Sequence, residues 1–93
     1  MDIEVRHDGG NQRFEAVVEG VPCVLEYQLR GNTMRIVHTS VPPAVGGRGI
    51  AGQLVRAAFD AARREGWRVE PACSYAEVWA GRHPEYADVL VSA

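Results

Sequence analysis

Gly46, Gly47, Gly49 and Gly52 lie between a β-like run ending at Val41 and a strongly helical segment. Glycine lets the backbone turn sharply and approach a ligand with no Cβ in the way. The first turn of a helix leaves N–H groups unpaired and carries partial positive charge. Together these features form a site for a phosphate or pyrophosphate. Cys73 is the second chemical signal. It precedes a predicted helix start, where the dipole and free N–H groups favour a thiolate; the competing use of such a residue is as a small buried hydrophobe. His83, beside Pro84, is either a base active near neutral pH or the cap of a turn. Arg48, inside the glycine loop, either reaches a phosphate with its side chain or contributes only its backbone.

The elements that position these residues follow from periodicity. Ile3 and Val5 alternate with Asp2, Glu4 and Arg6, as in a half-exposed strand. Asp8 to Asn11 is a turn. Arg13 to Glu19 alternates again, and Gly20 breaks it. Val21, Cys23, Leu25, Tyr27 and Leu29 share one face of a third strand, which makes Cys23 a core residue. Gly31-Asn32 signals a hairpin. Met34 to Val41 is a fourth strand, with His38 and Ser40 on one face and Val37, Thr39 and Val41 on the other. Four strands with short turns make an antiparallel meander.

Gly47 to Glu65 reads as a long helix, with Ile50, Leu54, Ala57, Ala58 and Ala61 in an apolar stripe widened by Val55, Phe59 and Ala62. Asp60 can pair with Arg56 or Arg64 at helical spacing. Gly66 suits its C-cap. Trp67 to Glu70 is a short strand stopped by Pro71. Ser74-Tyr75-Ala76-Glu77 has the pattern of a capping box and starts a second helix, through about Gly81. Pro84 opens one more turn, and Asp88 to Val91 reads as a final strand. Trp67 and Trp79 are most simply core aromatics.

Composition bounds the function. The 93 residues suit one domain, 1–93, near the small end of what folds alone. Net charge is −2, so nonspecific nucleic-acid binding has no electrostatic support. All ten basic residues are Arg, which excludes a P-loop lysine and a Schiff-base lysine. No apolar run spans a membrane, and the charged alternating start does not read as a signal peptide. Cys23 and Cys73 fit no metal spacing, so no metal is expected. They read as reduced thiols in a cytoplasmic protein.

Gly47 to Gly52 formally matches the dinucleotide pattern G-x-G-x-x-G, with Glu70 at about the spacing of a ribose-binding acid. Two features oppose that reading. Pro42 to Val45 separate the strand from the first glycine, and the preceding strands read as hairpins rather than parallel units.

The segment Gly46-Gly47-Arg48-Gly49-Ile50-Ala51 resembles the acetyl-CoA loop of the GNAT superfamily of N-acetyltransferases, Gln/Arg-x-x-Gly-x-Gly/Ala, which follows the fourth strand and opens the long helix. Gly49 and Ala51 fit; Gly46 stands where Gln or Arg is usual. The runs from His38 to Pro43, Pro71 to Tyr75 and Arg82 to Tyr86 are similar to those of very small, single-domain GNAT-like proteins. The resemblance implies an α+β fold: a mainly antiparallel sheet of about five strands, one long helix and short C-terminal helices, without the usual N-terminal helices. It implies acetyl-CoA as cofactor, pyrophosphate on Gly46, Gly47, Arg48, Gly49, Ile50 and Ala51, and pantetheine between splayed fourth and fifth strands beside Thr39 and Val41.

It also places Cys73 near the thioester, as the acid for the departing thiolate or as an acetyl acceptor. Tyr75 is the alternative acid; its competing use is as a packed aromatic with its hydroxyl at the surface. The fourth strand has Ser40 where some relatives keep a Glu base; a water relay or Glu26 could substitute. The implied reaction is acetyl transfer to an unidentified amine, with an amine on a protein or peptide as one candidate acceptor. A non-catalytic acyl-CoA-binding or interaction module is the alternative, and the sequence leaves the oligomeric state open.

Overall fold

The computed structural model describes residues 3–91. Its framework is a five-stranded sheet in sequence order: β1 (Arg6–Asp8), β2 (Arg13–Val18), β3 (Val21–Arg30), β4 (Thr33–Ser40) and β5 (Arg68–Pro71). The first four strands pair antiparallel, as their short turns require. β5 pairs parallel to β4. The connection that parallel pairing demands is α1 (Ile50–Glu65), which crosses one face of the sheet. After β5 come α2 (Ser74–Arg82) and a 3-10 segment, Pro84–Val89.

Period-2 alternation builds the sheet side of the core. Phe14, Ala16 and Val18 from β2, Cys23, Leu25 and Tyr27 from β3, Met34 and Ile36 from β4, and Val69 from β5 are all buried. Onto them α1 lays Ile50, Leu54, Val55, Ala58, Phe59, Ala61 and Ala62. The opposite face of the sheet bears exposed side chains such as Val17, Glu26 and Arg35. The result is a two-layer α+β architecture.

A bulge in β4 sets the orientation of the residues beyond it. Glu26 pairs with His38 and Tyr27 with Ile36, which leaves Val37 as the extra residue. Strict alternation from the buried Met34 and Ile36 would turn His38 inward. The bulge instead leaves His38 exposed and brings Thr39 opposite the buried Leu25.

Several boundaries differ from the sequence reading. Ile3 and Val5 pack against the core, but β pairing starts only at Arg6. The Ile3 N–H donates to Gln53 Oε1 at 3.2 Å, so the chain there is tied to α1. The long helix starts at Ile50, not Gly47, because Gly47 and Gly49 take φ of +76° and +74°. The expected final strand at Asp88 to Val91 is reduced to one parallel bridge, Val69 with Leu90. The Asp60 carboxylate accepts the Tyr86 hydroxyl at 2.6 Å, and Arg56 donates to that hydroxyl at 3.3 Å. The expected helical ion pairing thus runs through a tyrosine brought in by the C-terminal segment.

Candidate functional site

The loop between β4 and α1 is held from below. Pro43–Val45 forms a 3-10 turn, and Val45 is buried as a plug in the core. The Gly46 N–H donates to the Pro43 carbonyl at 3.2 Å. Beyond this anchor the backbone is open. A Cβ at Gly47 or Gly49 would meet nothing within 4 Å, so it is the positive φ, not crowding, that selects glycine there.

Gly49 is the N-cap of α1 and supplies no side-chain cap, and no acidic residue occupies the first turn. The helical ladder begins with the Gln53 N–H donating to the Gly49 carbonyl. The N–H groups of Ile50, Ala51 and Gly52 therefore precede the ladder and have no helical partner. Ile50 and Ala51 line a cleft with the positive end of the helix dipole behind it, while Gly52 lies under the Tyr75 hydroxyl. A cleft of about 340 Å³ lies here, lined by Val41, Gly46, Gly47, Gly49, Ile50, Ala51 and Tyr75. Open N–H groups, a first helical turn without an acid and a glycine-lined wall fit a pyrophosphate.

Beside the cleft the two parallel strands part. Their pairing ends at Ile36 with Pro71. The N–H groups of Ala72 and Cys73 both turn back to the Ile36 carbonyl, at 3.0 and 2.9 Å. From there β4 continues toward Val41 while the segment after β5 enters α2. Thr39 Oγ1 and Cys73 Sγ lie 3.6 Å apart across this opening.

Cys73, not Ser74, is the N-cap of α2, and its sulfur accepts the Ala76 N–H at 3.4 Å. The expected capping box does not form: Ala76 occupies the third helical position and the Cys73 N–H goes to the Ile36 carbonyl. Capping preferences favour Ser, Thr, Asp and Asn, so a cysteine cap carried no sequence signal. Cys73 is half-buried, whereas Cys23 is fully buried in the core, where burial raises its pKa.

The seven lining residues converge on one wall, and Thr39 and Cys73 meet at the strand opening next to it. Tyr75 is 38% exposed and extends its hydroxyl over Gly52. His83 lies at the far end of α2. Its ring stacks on Trp79 at 3.9 Å, and its Nδ1 is 2.8 Å from the Trp79 carbonyl oxygen. Arg48 points to the β2–β3 turn, where Nη1 donates to Glu19 Oε2 at 2.7 Å. Glu19 is the residue that sequence reasoning missed. Among the described residues, no group of three His, Cys, Asp or Glu side chains could hold a metal, and no helix is long and apolar enough to cross a membrane.

Residues 13–89 match the sequence profile of the GCN5-related N-acetyl-transferase family. The chain belongs to that family. Similar proteins include protein NATD1 of Bos taurus, 37% identical over 87 residues, which cover 88% of this chain and 75% of the relative. Protein NATD1 of Danio rerio is 33% identical over 94 residues, covering 96% and 86%. The fold is similar to the solution structure of a GCN5-like protein from Staphylococcus aureus, with a TM-score of 0.76 over 97% of this chain and 89% of that one, at 22% identity. The order of this GCN5-related fold, a hairpin sheet followed by helix, parallel strand and helix, removes the dinucleotide reading of Gly47 to Gly52. Gly52 lies against Tyr75 and Trp79 of α2 rather than against a parallel strand.

Proposed function

We propose that this GCN5-related domain binds acetyl-CoA and transfers its acetyl group to an amine. The observation that carries the reading is the joining of two features: the glycine-lined cleft at the start of α1 and, near it, the end of pairing between β4 and β5 at Ile36 and Pro71. Backbone N–H groups from Gly47 to Ala51 would hold the pyrophosphate, with Gly46, whose own N–H is taken by Pro43, lining the cleft wall, and the segment from Thr39 to Val41 would flank the pantetheine arm. When bound, acetyl-CoA supplies an activated acetyl thioester.

Cys73 supports the chemistry by its position. Its thiol stands at the mouth of the opening, at the positive end of α2, with Thr39 beside it. It would hold the proton that a departing thiolate needs and regain one from the amine nitrogen as the amide forms. Tyr75, on the cleft wall, is the alternative proton source. His83 stands apart from this wall and is tied to Trp79, which favours a capping role.

Binding without turnover is the second reading. It is favoured by the end of β4, which offers Thr39 and Ser40 but no carboxylate beside the opening. Free thiol release from acetyl-CoA with a panel of amines and lysine peptides separates the two. Turnover that falls at least about tenfold in Cys73→Ala, with CoA binding retained, supports catalysis through the thiol. Full turnover in Cys73→Ala removes that role, and no release with any acceptor leaves the binding module.

A further inference from the structure

The β2–β3 hairpin is closed by Glu19 and Gly20, with φ of 51° and 78°, between the paired Val18 and Val21. Two left-handed residues in succession suit a type I′ turn, which favours Asn, Asp or Gly at its first position. Glutamate has no such preference, and a non-glycine residue held there is strained. The strain comes with a contact. Glu19 Oε2 accepts Arg48 Nη1 at 2.7 Å. Arg48 stands between Gly47 and Gly49, both on the wall of the cleft. The hairpin thus delivers a carboxylate to the rim of a site whose backbone is arranged for an anion.

We propose that Glu19 is the internal counter-anion of this cleft: it holds Arg48 in the free protein and yields it to a ligand phosphate. The inference rests on the phosphate reading of the glycine loop. The exchange is feasible because the pair is open to water, with 34% of the Arg48 side chain and 61% of the Glu19 side chain exposed. Such a pair is weak. A phosphate carries more charge and more acceptor oxygens than a carboxylate, so it is the stronger partner for a guanidinium. A singly charged anion offers Arg48 little beyond what Glu19 already gives. Glu19 therefore makes the site selective for phosphate groups over weak anions. The pair holds the Glu19 carboxyl below its usual range and the Arg48 guanidinium above its own, so loss of Arg48 must let the carboxyl titrate at higher pH.

Calorimetric titration with CoA of the wild type, Glu19→Gln, Arg48→Gln and the double variant tests the exchange. Glu19→Gln should tighten CoA binding by about two- to five-fold, the scale of one exposed ion pair. The same change should do nothing in the Arg48→Gln background. Glu19→Asn, which suits the turn, gives the same readout if the glutamine variant folds poorly. In the wild type, the carboxyl resonance of Glu19 should titrate at higher pH once CoA is bound. Weaker or unchanged CoA binding in both Glu19 variants, or a Glu19 titration indifferent to ligand, overturns the proposal and identifies Glu19 as a brace for the loop. Inorganic pyrophosphate is the second probe. If it moves Arg48 off Glu19 while CoA does not bind, the exchange stands and the CoA reading falls.

Discussion

Thr39 Oγ1 and Cys73 Sγ lie 3.6 Å apart, across the point where β4 and β5 stop pairing. Two independent backbone features create this approach. The bulge at Val37 brings Thr39 into register with buried Leu25, and the turn after Pro71 makes Cys73 the cap of α2. The sulfur thus has two polar neighbours, the Thr39 hydroxyl and the Ala76 N–H.

A thiol with these neighbours should react faster with an alkylating agent than one without them. Thr39→Val keeps the shape and removes the hydroxyl. The alkylation rate of Cys73 should fall by about two- to ten-fold, the range for one hydrogen bond, with Cys23 protected by burial throughout. An unchanged rate would assign Thr39 to packing alone.

The glycines of the loop should separate into two kinds. Gly49→Ala forces a Cβ into the left-handed region and should cost about 1–2 kcal/mol in urea unfolding, with weaker CoA binding. Gly52 is helical, and an added Cβ would stand 3.4 Å from the Tyr75 hydroxyl, an ordinary contact. Gly52→Ala should therefore be no less stable than wild type, since alanine favours a helix by roughly 0.5–1 kcal/mol over glycine. A Gly52→Ala variant that loses CoA binding while Gly49→Ala retains it would contradict the assignment of the cradle.

His7 makes stability depend on pH. Its ring stacks on Phe14 at 4.1 Å, and its Nε2 lies 2.6 Å from the Tyr27 hydroxyl. Partial desolvation of this surface ring, with the nearby charge of Arg64, holds its pKa below the ordinary 6.5; Glu65 and Asp8 oppose this. The unfolded chain therefore takes up the proton first. This contribution to stability is full above the unfolded value of 6.5 and is lost as pH falls through the folded one. His7→Phe should flatten the stability profile between about pH 7.5 and 5. A profile as steep as the wild type's would place the titration elsewhere.

Tyr86 joins the C-terminal segment to α1. Its hydroxyl donates to Asp60 and accepts from Arg56, while its ring lies under Arg63 at 4.8 Å. Tyr86→Phe keeps the ring contacts and should lower unfolding stability by about 1 kcal/mol, because both partners can turn to water. No loss would mean that water already competes for this hydroxyl.

Much of this architecture was legible because periodicity reports burial. Alternation in Arg13 to Val18 and Val21 to Leu29 located β2 and β3, and the stripe from Ile50 to Ala62 located α1. Periodicity does not report pairing. Ile3 and Val5 alternate like a strand and pack like one, yet their segment is tied to Gln53 rather than to β2. The C-terminal strand failed for a related reason: Pro84 fixes a 3-10 start, which consumes the chain through Val89. At the site, the glycines and their helix were visible as local chemistry. The Cys73 cap and the Glu19–Arg48 pair were not, since one uses an atypical capping atom and the other joins residues 29 apart. The Glu-Gly turn was the available signal, because Glu is a poor choice where both residues need positive φ.

The proposed function requires the cradle at the start of α1 to hold the pyrophosphate of acetyl-CoA. Titrating the protein with acetyl-CoA, and separately with NAD, while following the amide resonances of Gly46, Gly47, Arg48, Gly49, Ile50 and Ala51 tests it most directly. These resonances should shift with acetyl-CoA and saturate, and NAD should leave them in place. Shifts with NAD and none with acetyl-CoA would mean that the cradle is not an acetyl-CoA site.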